Sequence, residues 1–411
     1  MAIKIQGTVV LDYDGASYSS TNIAVGASAL ASLTTGINNT AVGYAALYTN
    51  TTGVNNSAVG RDALYYNTIG YNNAAIAYRA LYQNTEGYNN VAVGNQALYS
   101  NTIGVNNIAI GINTLFSNTT GNNNVAVGLQ ALLSNTTGIN NTAVGRDALY
   151  QNTTGYDNIA VGYAALYLNT TGYNNTAVGR EALRGNTTGI SNVAVGYQAL
   201  YNNTTGYDII AVGMRTLFNN TTGIHNLAVG YQALHNNTIG SFNTAFGYTA
   251  LYSNTTGNYN IAVGYNTLRD STTGVYNTAL GYNTGRGITT GSYNTIIGSS
   301  VTGLDANLNN TVIIADGAGN KRIYADSNGN VGIDTTTPTS KLHVEGTANI
   351  TSSLVVGGNL TINAVIANGS LGSSGQVLTS NGSSTYWSTV SGGGGGGGEV
   401  GFEQTFMLMG G

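Results

Sequence analysis

Apolar and polar positions recur along most of this chain with a period of 17 residues. Between residues 20 and 291 one unit is written sixteen times, and each copy closes on a glycine: Gly36, Gly53, Gly70, Gly87 and so on to Gly291. Residues 37–53, INNTAVGYAALYTNTTG, are a typical copy. A fixed period of this size marks a repeat architecture, in which each unit buries its apolar side only by stacking on its neighbours. Counted from the residue after each closing glycine, the third position is Asn in fifteen units, with Ile209 the exception. The fifth is Ala in all sixteen, the sixth is apolar, and the seventh is Gly except at Ala77. The eleventh is Leu in fifteen units and the fourteenth is Asn in thirteen.

The unit predicts one strand and one tight return. N-x-A-V-G combines β-branched and small residues, which suit a strand of about five residues. The following segment, residues 44–50, contains good helix formers and is long enough for a single helical turn. Asn50 is expected to end that turn, because Asn tolerates the left-handed conformation. Thr-Thr-Gly then reverses the chain, with Gly supplying a positive φ. Stacking sets Val42 on Val59 and Leu47 on Leu64 as apolar columns, and Asn39 on Asn56 as an amide ladder. Sixteen layers make a rod about 75–80 Å long. The expected fold class is all-β: a parallel β-solenoid or β-roll of 17-residue repeats, followed by a small β-rich cap and tip.

One coil of 17 residues has little interior, and Val42 with Leu47 are expected to fill it from one side. The other strand face then carries Asn39, Ala41 and Gly43. An unvarying alanine asks for close approach of a second backbone. Ala41, Ala58, Ala75 and Ala92 are therefore read as a seam between chains, most simply in a homotrimer, with a monomeric solenoid as the rival reading.

The flanks differ from the repeats. Residues 1–19 predict one strand through Ile3, Ile5, Val9 and Leu11, as an N-terminal cap or attachment segment. The repeats (20–291) give way to a β cap or collar (292–346), with strands expected at 292–298, 311–314, 321–324, 330–334 and 341–345. Asp316, Lys321, Arg322 and Asp326 cluster there and are read as salt bridges that pin it. Residues 347–391 predict a β-rich shaft or tip around Trp387, the only tryptophan. Residues 392–411 are a glycine run and an apolar tail. The eighth and twelfth repeat positions vary and read as outward rows. Candidate binding residues are Tyr44, Tyr48 and Tyr82 on those rows, Trp387, and Phe402, Phe406, Met407 and Met409 of the tail.

Composition removes several function classes. Only 7% of residues are charged and the net charge is −4, with 12 Lys+Arg in all. That is too sparse to track phosphates, so no nucleic-acid partner is expected. The chain has no cysteine, hence no disulfide or thiolate metal site. No run approaches the roughly 18–20 apolar residues that span a bilayer, and no membrane insertion is expected. The N-terminus shows no secretory signal pattern. His225, His235 and His343 lack ligand spacing, so neither metal nor cofactor is expected. A glycan-cleaving enzyme needs a carboxylate pair. Asp62, Glu86, Asp147, Asp157, Glu181, Asp208 and Asp270 are scattered over separate repeats, so no catalytic residue is assigned and the chain is not read as an enzyme. Asp62 beside Arg61 and Asp147 beside Arg146 read as surface ion pairs. Asn-x-Ser/Thr triplets read as turn chemistry.

The N-x-A-V-G strand with its closing glycine resembles the head repeats of trimeric autotransporter adhesins, although the unit here is longer. Residues 323–351, IYADSNGNVGIDTTTPTSKLHVEGTANIT, resemble the shaft segment of tailed-phage tail fibres, and so do residues 372–389, GSSGQVLTSNGSSTYWST. The leader MAIKIQGT is similar to the starts of fibre proteins from marine phages and cyanophages. The resemblance implies a homotrimeric virion fibre, extracellular after release, that joins other virion or tail proteins and contacts a host cell-surface glycan or protein receptor. It also implies a self-cleaving chaperone domain, of which no trace follows Thr389. The alternatives are a bacterial adhesin of the trimeric autotransporter type and a polysaccharide-cleaving tailspike.

Overall fold

The computed structural model describes residues 22–351, 354 and 355, together with the backbone of seven short strands outside that range. The chain forms two units, Met1–Gly346 and Thr347–Gly411. In the first, eighteen strands follow one another at a constant step of 17 residues, from Ile23–Val25 and Thr40–Val42 to Thr295–Ile297 and Val312–Ala315. Each pairs in parallel with the next, and each residue faces its equivalent one repeat on: Thr142 with Ile159, Ala143 with Ala160, Val144 with Val161. At the usual strand spacing the ladder is about 80 Å long. The expected β-solenoid and its register are therefore present. The last two rungs lie beyond Gly291, where the consensus has faded but the spacing persists.

The stack ends by changing direction. Val312–Ala315 pairs antiparallel with Lys321–Ala325, which pairs antiparallel with Val331–Ile333, and Leu342–Val344 then adds in parallel. At the other end Ile3–Ile5 and Thr8–Leu11 form an antiparallel hairpin, where the alternation of Ile3, Ile5, Val9 and Leu11 predicts a single strand. In the second unit Gln376–Ser380 lies between Thr385–Thr389 and Phe406–Met407, antiparallel to both, and Ile366–Ala367 pairs with Ser370–Leu371.

The strand faces are the reverse of the expected ones. Ala41, Ala58, Ala75 and Ala92 are fully buried inside the chain's own coil, in one cluster with Ala46, Leu47 and their equivalents. The valine row points outward instead, and Val59 is 40% exposed. Invariance of the alanine thus needs no second chain. The coil is so narrow that one side of it is filled by Leu47 and Ala46, and the strand opposite has room for a methyl group only. The seam reading of the alanine row is corrected on this ground.

The return segment holds no helix, although Ala and Leu favour one. Ala45 and Leu47 both take positive φ, near +52°. Their amides leave the rung: Ala45 N–H donates to Ala27 O and Leu47 N–H to Ala63 O. For an L-residue the left-handed conformation costs about 1–2 kcal/mol. Full burial of a leucine side chain contributes about 1.5–3 kcal/mol, and the inter-rung hydrogen bonds add to that. Packing therefore overrides local propensity at all fifteen leucines. Positive φ falls on Asn38, Gly43, Ala45 and Leu47, not on Asn50 or Gly53. Gly53 is required for space: a Cβ there would sit 2.3 Å from Asn50 Oδ1 and 2.4 Å from Gly70 O.

Two buried amide ladders fill what the alanines and leucines leave. Asn39 Oδ1 accepts from the backbone N–H and the side-chain Nδ2 of Asn56, at 3.0 and 3.2 Å, and Asn56 Nδ2 also donates to Gly70 O at 2.8 Å. In parallel, Asn67 Nδ2 donates to Asn50 Oδ1 at 2.8 Å and to Gly70 O at 3.0 Å. Each amide satisfies a buried backbone group and passes the bond to the next rung, as buried polar groups require.

Candidate interaction surfaces

Three outward faces result from this coil. The first is the bare side of the sheet. With alanine turned in, the residues on either side of it turn out, so each strand presents two side chains to solvent. They form two columns of β-branched and other apolar residues: Ile108 and Ile110 (38% and 41% exposed), Ile159 and Val161, Ile210, Leu227, Phe246, Ile261 and Leu280. Parallel sheets are ordinarily covered on both faces. Among the described residues the chain covers one face and leaves the other open along the rod. The column through Val42, Val59 and Ile76 is apolar at every rung, while the column beside it is interrupted by Thr40, Ser57, Thr142, Thr176, Thr244, Thr278 and Thr295. An apolar column of that extent marks an interaction surface.

The second face carries the eighth, ninth and twelfth repeat positions. The twelfth builds columns of rings at rung spacing. Tyr48 and Tyr65 lie 5.0 Å apart at 10°, Tyr82 and Tyr99 5.1 Å at 11°, and Tyr99 and Phe116 5.0 Å at 6°. Farther along, Tyr201, Phe218, His235 and Tyr252 continue in the same manner. Arginines insert between rings: Arg61 lies 5.7 Å over Tyr44, and Arg79 lies 5.0 Å from both Tyr78 and Tyr82, which joins the three positions into one edge. Burial, with Tyr66 hydrogen-bonded beside it, pushes the Tyr82 phenol up to about 12. Tyr82 therefore stays neutral and acts as a hydrogen-bonding group.

The third face carries the paired threonines and the second repeat position. Thr51 Oγ1 donates to Thr68 O at 3.1 Å, and its equivalents do likewise, so these hydroxyls are spent within the rod. The second position forms an outer amide ladder that begins at Asn38 and Asn55 and ends at Asn140 and Asp157. From His225 to Tyr293 the same column is a ring stack.

The cap holds the charge cluster. Arg322 bridges Asp316 and Asp334 at 2.8 and 3.0 Å. Asp326 accepts N–H bonds from Asn328 and Asn330, and Lys341 Nζ donates to Asn328 O. Lys321 and Asp326 thus stand outside the ion-pair network expected of them. The amide of Asn320, then backbone N–H groups and Arg322, hold the Asp316 carboxyl well below the usual carboxylate range, and Asp326 is lowered in the same way by Asn330. Among the described residues no group of three or more His, Asp or Glu is placed to hold a metal ion, and no helix is long and apolar enough to cross a membrane.

The sequence-derived candidates scatter over these faces. Tyr44 is 56% exposed on the second face, while Tyr48 and Tyr82 are half-buried within its ring columns. Asp62 and Asp147 do pair with Arg61 and Arg146, at 3.6 and 3.1 Å. Trp387, Phe406 and Met407 lie on strands described by backbone alone, and Phe402 and Met409 lie outside the described residues. Two features escaped sequence reasoning. The open valine and isoleucine face was missed because the sixth position reads equally well as core. The arginine edge was readable, since every arginine of the repeats sits at the eighth, ninth or twelfth position. The chain matches no protein-family model, no curated protein and no solved structure.

Proposed function

We propose that this chain is a structural fibre protein, the rigid shaft of a homotrimeric tail fibre of a phage particle, extracellular after release, which joins other virion proteins and contacts a host surface. The observation that carries this reading is the bare sheet face. An apolar column unbroken over about 80 Å, flanked by a second column of mixed apolar and hydroxyl side chains, is too large to remain in water on a solitary coil. In-register strands repeat that surface at every rung, and in this reading it meets copies of itself along its length. Three such faces closing around one axis bury it and leave the ring-bearing edges outside. The seam between chains then runs along Val42, Val59, Ile76 and Val93, the neighbours of the alanines. The sequence resemblance to fibre shafts in residues 323–351 supports the virion setting. Mass measurement in solution tests the assembly: three chains per particle are expected, and a stable monomer at micromolar concentration overturns it. Electron microscopy of the source particle, labelled with antibody to this chain, tests the location.

A further inference from the structure

We infer that the arginine–tyrosine edge around Arg180, Arg184 and Arg215 binds a linear acidic polysaccharide laid along the rod. This rests on the fibre reading for its biological setting, and on the following geometry for its chemistry. The repeats contain eight arginines and no lysine, all on this one edge. Five of them are compensated: Arg61, Arg79, Arg146, Arg269 and Arg286 each lie within 4 Å of an aspartate. The remaining three are consecutive, fall within three rungs, and have no carboxylate at ion-pair distance among the described residues. Glu181, the nearest acid in sequence, accepts from Gln198 Nε2 at 2.8 Å instead.

The three guanidiniums sit between rings. Arg180 lies 5.6 Å from Tyr163 and 5.7 Å from Tyr197, Arg184 lies 5.2 Å from Tyr167 and 5.6 Å from Tyr201, and Arg215 lies 5.9 Å from Tyr197 and 5.7 Å from Phe218. Arg184 Nη1 donates to the Tyr201 hydroxyl at 3.2 Å and Arg215 Nε to Gln198 Oε1 at 2.9 Å, which fixes both side chains and leaves N–H groups unspent. Guanidinium forks match carboxylates, and a pre-ordered fork loses little entropy on binding.

The ring stacking decides between anionic polymers. A single-stranded nucleic acid needs free ring faces for its bases. Along this edge faces are taken by neighbouring rings or guanidiniums, as in Tyr201 on Phe218 at 5.0 Å and 10°. With the faces taken, ring edges, phenol hydroxyls and the unspent guanidinium N–H groups are what remains for a ligand. They suit a ligand rich in hydroxyls, with one carboxylate per sugar or every few sugars. An extended pyranose chain advances by nearly one rung per sugar, so a straight chain keeps its register with arginines spread over several rungs.

The test is titration of the full chain with an alginate octamer, a neutral cello-oligosaccharide of equal length and oligo-dT, at low and physiological salt. Alginate is expected to bind alone among the three, more tightly as the oligomer lengthens and more weakly as salt rises. The triple variant Arg180→Gln, Arg184→Gln, Arg215→Gln is expected to lose about tenfold or more in affinity. The double variant Arg61→Gln, Arg269→Gln, which removes compensated arginines, is expected to bind as the parent does. Thermal melting checks that both remain folded, and single Arg180→Gln serves if the triple variant does not. No saturable alginate binding, equal binding of oligo-dT, or an unchanged affinity in the folded triple or single variant overturns the inference. A monomer that binds alginate sinks the fibre reading alone, and a trimer that does not bind it sinks this one alone.

Discussion

At the scale of single residues, the exceptions to the repeat show what each position does. Ala77 stands where every other repeat has glycine, and it is held at φ +105°. A β-carbon in that region costs about 1–2 kcal/mol, whereas replacing Ala by Gly loses about 0.4–1 kcal/mol through the unfolded chain. Strain relief wins, so Ala77→Gly is expected to stabilise the rod by up to about 1 kcal/mol, read as a higher denaturation midpoint. Ser271 interrupts the inner amide ladder. It is fully buried, and both its Oγ and Asn254 Oδ1 lack a partner. Ser271→Asn supplies an Nδ2 to Asn254 and is expected to add about 1 kcal/mol; a lower midpoint would show that the amide does not fit beside Ile288.

At the scale of elements, a rung is held by buried amides and by backbone hydrogen bonds to the rungs on either side, while the cap is held by charge. The Asp316 and Asp326 carboxyls have folded-state pKa values below their unfolded ones. Their contribution is therefore complete at neutral pH and is lost as pH falls from about 4 toward the lower folded values. Hydrogen-exchange protection of the Lys321–Ala325 strand is expected to drop as pH falls below about 4, the ordinary carboxylate value, while Thr142–Val144 keeps its protection. Equal behaviour of the two strands would argue that the carboxylates do not hold the cap. The buried ladders of the rungs have no such dependence, because they run amide to amide.

At the scale of the whole molecule, repetition turns small features into long ones. One exposed valine is ordinary, but an apolar column over eighteen rungs, with a second, partly apolar column beside it, makes a surface that demands a cover. Val144→Lys with Val161→Lys places two charges in that surface without touching the interior, where Ala143 and Ala160 are fully buried. The variant is expected to retain its β circular-dichroism spectrum and to fall to monomer mass. Retention of the parent's mass would place the contact between chains elsewhere.

The 17-residue period determined, unaided, that the chain is a stack, that equivalent residues sit on one another, that asparagines form ladders and that leucine points inward. All of this follows from translation: identical chemistry at a fixed step can pair only with itself. Which side of the strand faces in was left to the tertiary structure. Three-residue strands such as Thr142–Val144 carry small or β-branched side chains on both sides, and a shift of one residue exchanges the two faces. The choice was made by Ala45 and Leu47, whose left-handed backbones turn the return segment so that it fills the coil opposite Ala41. No propensity announces a left-handed leucine, because its strain is repaid only once the neighbouring rungs have buried it.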